Sequence, residues 1–333
     1  MACSERSRLR FDLIPLADFR PGDDRFRVTE ARDPHGLSES IARLGLLNPV
    51  LVRPDGADVT LVSGHRRLAA CRALGWDRIP ARALPADTPD YGCARRAVGE
   101  NSLERPLTLL ETARALALLD RHHPAGDAPP ADLSALGLPT ARHLCDRLKS
   151  LLRLPAEVQA GVAEESIAFP TACELGTLAA DDATAVARLL RRLGAGLNKQ
   201  RDILHLLLDI SRRDRTPPAA LVADPALLVA VQAAGDDSNR VTQAVRRCLR
   251  LRRFPAIAAA EKNFDRLRRD LPLGEGLHLD PPRDFEGTHF LLGCRFASVS
   301  ELAGLHARLG RILQDPALRA IVDGKGRGFD EPC

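Results

Sequence analysis

Gly64-His65-Arg66-Arg67 brings together residue types that can hold an anion, inside the run Val62-Ser63-Gly64-His65-Arg66-Arg67-Leu68-Ala69-Ala70. The run reads as a strand end, a glycine turn and the first turn of a helix. Glycine lets backbone approach an anion closely. The free N–H groups and positive dipole end of a helix favour negative charge. Arg66 and Arg67 add permanent charge in a fork that matches phosphate oxygens. The residues by themselves leave open whether that phosphate belongs to a nucleotide or to a nucleic-acid backbone. A second pair, Glu100-Asn101, supplies hard oxygen ligands of the sort Mg²⁺ takes beside phosphate oxygens. The alternative for this pair is a helix C-cap, because Asn tolerates the left-handed conformation.

The elements that must position these residues follow from periodicity. Residues 9–105 alternate short strand and helix patterns. Leu13–Leu16, Pro49–Arg53, Asp58–Val62 and Ile79–Leu84 read as strands, and Pro54-Asp55-Gly56 as the turn of a hairpin. His35–Leu44, His65–Leu74 and Pro89–Gly99 read as helices. From 106 the pattern turns helical. Thr108 with Glu111 makes a capping box ahead of a helix to Arg121. His122–Pro130 reads as a linker. A short helix, a glycine turn at Gly137 and a long periodic helix from Thr140 to Leu154 suggest a helix-turn-helix within 106–180. Residues 181–270 are helical and polar, with ten Arg or Lys against three acids in 240–270. That run reads either as a solvated helix face or as a DNA contact. Residues 271–322 read as a small α+β unit, with strands at Gly276–Leu279 and Thr288–Phe296 and a helix at Val299–Leu313.

Composition narrows the class. The 333 residues are 45% apolar and only 4% aromatic, which supports helix-rich cores. Net charge is +4, so charge location rather than total charge must argue for nucleic acid. No apolar run reaches membrane-spanning length, and the N-terminal residues lack the apolar core of a secretory signal. Eight scattered cysteines form no C-x-x-C pair and no zinc spacing, so they read as reduced core fillers in a cytoplasm.

Three segments in order resemble the ParB family of partition proteins, which includes KorB and the nucleoid occlusion protein. They are Ser40-Ile41…Gly45…Pro49-Val50, then Gly64-His65-Arg66-Arg67…Ala69-Ala70…Leu74-Gly75, then Glu100-Asn101…Arg105…Leu107…Glu111. The phrase Leu151-Leu152-Arg153-Leu154-Pro155 follows at the place where the family closes its helix-turn-helix. The resemblance covers about residues 9–180. It implies an α/β (α+β) ParB/sulfiredoxin-like domain followed by an all-α helix-turn-helix domain. It further implies a dimeric clamp that binds CTP and Mg²⁺, closes on a palindromic double-stranded DNA site, and acts in chromosome or plasmid segregation with a ParA-type ATPase. Slow CTP hydrolysis would serve as a switch, in a cytoplasmic, nucleoid-associated protein without a membrane partner. Carried over by position, Gly64, His65, Arg66, Arg67 and Arg105 hold the triphosphate, and Glu100 and Asn101 hold the metal. Thr140, Arg142, His143, Arg147 and Lys149 face DNA, the first of them toward base edges and the later ones toward phosphates.

The sequence departs from the family in four places, one of them the first helix of the helix-turn-helix, which is about one residue short and begins after two prolines. His65 stands where the family has Glu, which bears on turnover more than on phosphate binding. Asp146 sits among the cations of the recognition helix. The C-terminal third does not resemble the family's short dimerisation domain. A ParB-like regulator or nucleoid occlusion factor without nucleotide switching is the alternative reading, and a ParB-like nuclease a lower one. A sulfiredoxin-type activity needs a cysteine where this chain has Ser63-Gly64.

Overall fold

The computed structural model describes residues 10–29, 35–56, 58–235, 237–282, 285 and 289–323. It divides into two compact units, Met1–Arg201 and Asp202–Cys333. The residues expected as a separate helical region, 181–270, are therefore shared between the units.

Unit 1 begins with a four-stranded sheet built from β1 (Arg10–Pro15), β2 (Val50–Asp55), β3 (Asp58–Ser63) and β4 (Arg78–Ala83). The spatial order is β1-β4-β2-β3. β1 pairs antiparallel with β4, β2 pairs parallel with β4, and β2 and β3 form an antiparallel hairpin. β2 lies in the interior of the sheet, and its first three residues, Val50, Leu51 and Val52, are buried, as an interior strand covered on both faces requires. Val50, Val52, Leu61, Ile79 and Ala81 pack on one face with Ile41 of α1 (His35–Leu44) and with Leu68 and Cys71 of α2 (His65–Ala73). Alternation sends Leu51 and Val62 to the other face, and α3 (Asp90–Glu104) packs against β3.

The expected helix ending at Gly99 runs on to Glu104. Gly99 is not a terminator: a Cβ there would lie in ordinary contact with the Leu136 side chain at 3.4 Å. The stop comes from Pro106, which forces the preceding Arg105 into extended backbone at φ −158°. Glu100 and Asn101 therefore lie inside the helix, and the C-cap alternative for them falls.

The rest of unit 1 is helical. α4 (Leu109–His122) starts at the expected capping box, with Thr108 accepting from the Glu111 backbone and Glu111 accepting from the Thr108 backbone. α5 (Pro130–Ala135), a turn with Gly137 at φ +69°, and α6 (Arg142–Ser150) follow. Leu133, Leu136, Leu138, Cys145, Leu148 and Leu151 are buried around that turn. The expected long helix to Leu154 stops at Ser150 and tightens into a 3₁₀ turn over Leu151–Arg153. Leu154 is extended because Pro155 follows it. α7 (Ala156–Ala163), α8 (Phe169–Leu175) and α9 (Ala180–Leu193) continue the chain, and α10 (Leu197–Asp214) begins in unit 1 and has most of its residues in unit 2. The expected linker begins one residue late, since His122 belongs to α4 and its ring lies 5.3 Å from that of Phe26.

Unit 2 contains α11 (Pro218–Val222), α12 (Pro225–Ala233), α13 (Ser238–Arg253), α14 (Pro255–Asp270), β5 (Leu277–Asp280), β6 (Leu291–Cys294), α15 (Val299–Leu313) and α16 (Pro316–Asp323). β5 and β6 form an antiparallel pair, and α15 spans the expected residues. Phe264, Leu271, Leu277, Leu279, Leu305, Ile312 and Ile321 make its core. α16 had no counterpart in the sequence reading. Among the described cysteines all are free; Cys71, Cys93 and Cys145 are buried, whereas Cys294 is exposed and is not the core filler expected. Cys3 and Cys333 lie outside the described residues.

Candidate nucleotide and DNA-binding sites

Gly64 is the N-cap of α2 and adopts φ +103°, a left-handed conformation natural to glycine. A Cβ at this position would lie 2.7 Å from Val50 Cγ1 and 3.1 Å from Val50 Cβ. The turn thus presses directly onto the interior strand β2. The N-terminus of α2 has no side-chain cap, which leaves its first N–H groups to an outside acceptor. Arg66 is exposed.

Arg67 is pinned. Its guanidinium donates to the backbone oxygens of Asn48 at 3.0 Å and Pro49 at 2.7 Å, and to Glu100 Oε2 at 3.3 Å. The other Glu100 oxygen pairs with Arg82 of β4. Arg67 and Glu100 are each about four-fifths withdrawn from water. One carboxylate between two guanidiniums leaves the cluster cationic. Together with the α2 N-terminus it makes a local field that favours an anion. The sequence assigns Arg67 to phosphate and Glu100 to the metal without pairing them, and it does not single out Arg82. The only signal was strand alternation, which puts Arg82 off the core face that carries Ile79 and Ala81.

His65 departs from the expected role. Its Nε2 is buried without a hydrogen-bond partner. Burial, reinforced by the positive charge of Arg27, lowers its pKa to about 4. The ring is neutral at neutral pH, so it is no cationic phosphate grip. It lines a cavity of about 200 Å³ with Phe19, Arg20, Asp23, Asp24, Arg27 and Arg72 among the walls. The loop carrying residues 20–27 is fixed to the β2–β3 hairpin. Arg20 pairs with Asp58 at 2.7 Å, and Arg25 bonds Asp23, Asp55 and Thr60. Asp23 is held below the usual carboxylate range chiefly by its hydrogen bonds from Arg25. The charged residues of this loop were invisible to the sequence reading, because nothing local ties them to a helix 40 positions away.

Arg105, expected to support the triphosphate, instead forks onto Glu111 through two bonds of 2.7 and 2.8 Å. Burial pushes Glu111 upward, but the hydrogen bonds from Arg105 and Thr108 outweigh it and hold the carboxyl below its ordinary range. Arg105 therefore neutralises the buried capping-box acid of α4.

Asn101 donates its amide to the Ala97 carbonyl at 2.7 Å, which leaves its side-chain oxygen for a ligand. Glu100 and Asn101 fit Mg²⁺ only jointly with an anion. Both carboxylate oxygens face guanidiniums, and no group of three His, Cys, Asp or Glu among the described residues could hold a metal ion by itself. A triphosphate would supply the missing oxygens and compete for the arginines.

The five residues expected to face DNA lie on or beside α6. Thr140, Arg142, His143 and Arg147 are exposed, whereas the buried side of α6 carries Cys145 and Leu148. Arg147 lies over the ring of Phe169 at 5.1 Å, which orients its guanidinium. Lys149 is spoken for: its ammonium sits 2.7 Å from Asp120 and 3.1 Å from Asp146. It ties α6 to α4 and is not the exposed phosphate contact expected. Arg142 lies 3.6 Å from Asp127 and 4.0 Å from Asp146, with both partners exposed. The basic run of 240–270 is likewise paired in part, through Arg246–Asp202, Arg252–Asp224 and Arg253–Asp209.

A profile described as "ParB N-terminal domain" matches residues 6–102. The chromosome-partitioning protein Spo0J of Thermus thermophilus is 36% identical over 107 residues, covering 32% of this chain and 39% of that protein. A "Probable plasmid-partitioning protein ParB" of the same organism is 28% identical over 211 residues, covering 54% of this chain and 69% of that one. A nucleoid occlusion protein of Bacillus thuringiensis is 29% identical over 158 residues, 46% of this chain and 52% of its own length. Among solved structures, the C-terminally truncated chromosome-partitioning protein ParB from Caulobacter crescentus complexed with CTP-gamma-S aligns at 24% identity and a TM-score of 0.26. That alignment covers 54% of this chain and 98% of that one. The chain spans about two fifths of the length of the Spo0J relative and about half that of the nucleoid occlusion protein. The glycine turn, the arginines behind it and Glu100 all fall within the matched segment, so residues 6–102 of this chain carry a ParB N-terminal domain.

Proposed function

We propose that this protein partitions DNA as a CTP- and Mg²⁺-gated homodimeric clamp, with α5 and α6 as the helix-turn-helix that reads a palindromic site. The observation that carries the reading is the left-handed Gly64 turn, its uncapped helix N-terminus and the Arg67–Glu100–Arg82 cluster in one domain. The relatives are partition and nucleoid occlusion proteins, which agrees with this role. On this reading the α2 N–H groups and Arg66 receive the phosphates, while Arg67 and Arg82 balance their charge. Glu100 and Asn101 hold Mg²⁺ with the phosphate oxygens, and the metal neutralises the triphosphate. On the DNA side, Thr140, Arg142 and His143 meet base edges and Arg147 meets the backbone. A ParA-type ATPase is the expected partner, and residence on the nucleoid follows from DNA binding. No helix among the described residues is long and apolar enough to cross a membrane.

Calorimetric titration with CTP, ATP and GTP, with and without Mg²⁺, tests the nucleotide half. A Mg²⁺-dependent preference for CTP is expected, and equal affinities refute it. One observation favours a second reading, a DNA-binding regulator without switching: both Glu100 oxygens are already engaged by arginines. Specific DNA binding unaffected by CTP would select that reading.

A further inference from the structure

Three cations of α6 stand on the side assigned to DNA, and folding treats them differently. Lys149 sits on Asp120 and Asp146, and Arg142 lies 3.6 Å from Asp127 and 4.0 Å from Asp146. Arg147 meets no acid among the described residues. Its guanidinium carbon lies instead 5.1 Å from the centroid of the Phe169 ring. The two kinds of partner differ in what they leave behind. A carboxylate holds an arginine by accepting its N–H bonds and cancelling its charge. An aromatic ring holds it through the quadrupole of its face and carries no opposing charge. The charge of Arg147 therefore stays available to an anion, and its long side chain is ordered before the anion arrives, which lowers the entropy lost on binding.

Phe169 is itself fixed from behind. It is the first residue of α8, and Pro170 follows it, where a missing N–H is tolerated in a first turn. The segment just before it is tied down by Gln200, buried in the first turn of α10. The Gln200 Oε1 accepts from the Ala168 N–H at 3.0 Å, and its Nε2 donates to the carbonyls of Ser166 at 2.9 Å and Ala195 at 2.6 Å. The ring is half-buried while Arg147 is exposed, so a braced ring carries a solvent-facing cation. We propose that Phe169 is a positioning residue for DNA, its ring holding the Arg147 guanidinium in place for a backbone phosphate with its charge uncancelled. This rests on the reading of α6 as the DNA-facing helix.

The test is fluorescence anisotropy of a labelled random-sequence duplex titrated with the full-length protein. Phe169→Leu and Phe169→Met remove the ring and keep an apolar side chain, and Phe169→Tyr keeps the ring. Circular dichroism melting selects whichever ringless variant folds as the parent does. That variant should bind about two- to fivefold more weakly, the worth of an exposed cation–π contact, and Phe169→Tyr should bind as the parent does. In an Arg147→Ala background the ringless substitution should cause no further loss, because the ring acts only through that arginine. A merely structural role for Phe169 would add to the loss from Arg147→Ala. Parent-like binding by the ringless variant, an equal loss in Phe169→Tyr, or a further loss in the double variant overturns the proposal and leaves Arg147 as a DNA contact. Parent-like binding by Arg147→Ala refutes that contact, and the proposal with it.

Discussion

Mild acid should loosen the N-terminal domain through His65, and the size of the effect follows from its burial. The imidazole titrates near 4 in the folded chain against an ordinary 6.5. Between those values the unfolded chain binds the proton more tightly, so stability is full above pH 6.5 and is lost as pH falls toward 4. One unit corresponds to about 1.4 kcal/mol. Lowering the pH from 7 to 5 should therefore remove about 2 kcal/mol, rising to about 3 kcal/mol near pH 4. Trp76 is the sole tryptophan of the chain and packs against the core of the sheet domain. Its fluorescence during urea unfolding reports that domain without interference from unit 2. His65→Gln removes the titrating group and keeps a neutral polar side chain. His122, lowered by burial, and Asp23, lowered by Arg25, titrate in both proteins and cancel in the comparison. The variant should lose about 2 kcal/mol less than the parent between pH 7 and 5. Equal losses in the two proteins would refute the reasoning, because His65 would then be solvated and able to take its proton at an ordinary pH.

Gly64→Ala should cost about 1–2 kcal/mol for the left-handed backbone and about 1–3 kcal/mol for the overlap with Val50. Trp76-detected unfolding measures the loss, and calorimetry should find triphosphate binding abolished. Glu100→Gln leaves Arg67 and Arg82 without their shared anion. It should destabilise the domain by about 1–3 kcal/mol, between exposed and buried ion pairs, and make any remaining nucleotide affinity indifferent to Mg²⁺. Arg147→Ala should weaken duplex DNA binding across sequences and lower the salt slope by about 1 in anisotropy titrations over a salt series. Lys149→Ala, whose charge is spent on Asp120 and Asp146, should leave that slope unchanged and lower the melting temperature instead.

The local elements of the N-terminal domain were legible in sequence. His35–Leu44, the β2–β3 hairpin, the Gly64 turn and the Thr108–Glu111 box each depend on residues within a few positions of one another, so local pattern and turn chemistry specify them. Gly64 stands out from the strand pattern before it and the helix with Arg66 and Arg67 after it. The misreadings at Gly99 and Leu154 have a common cause. In each case the proline that follows, Pro106 or Pro155, holds the residue before it extended and sets the end, and Gly99 does not.

Only tertiary structure decided which charges are available. Sequence places Arg67, Arg105 and Lys149 among ligand-binding cations, yet each is met by an acid that folding brings beside it: Glu100, Glu111 and Asp120. Between Lys149 and Asp120 the chain separation is 29 residues, and no local rule spans that distance. His65 makes the same point with the opposite sign. Its type suggests a titratable group at a phosphate grip, but burial beside the residue 20–27 loop leaves it neutral. Residue type and spacing determined a glycine turn that opens a helix with two arginines in its first turn. Burial and pairing, most of which arise when distant segments meet, determined which side chains beside it remain free.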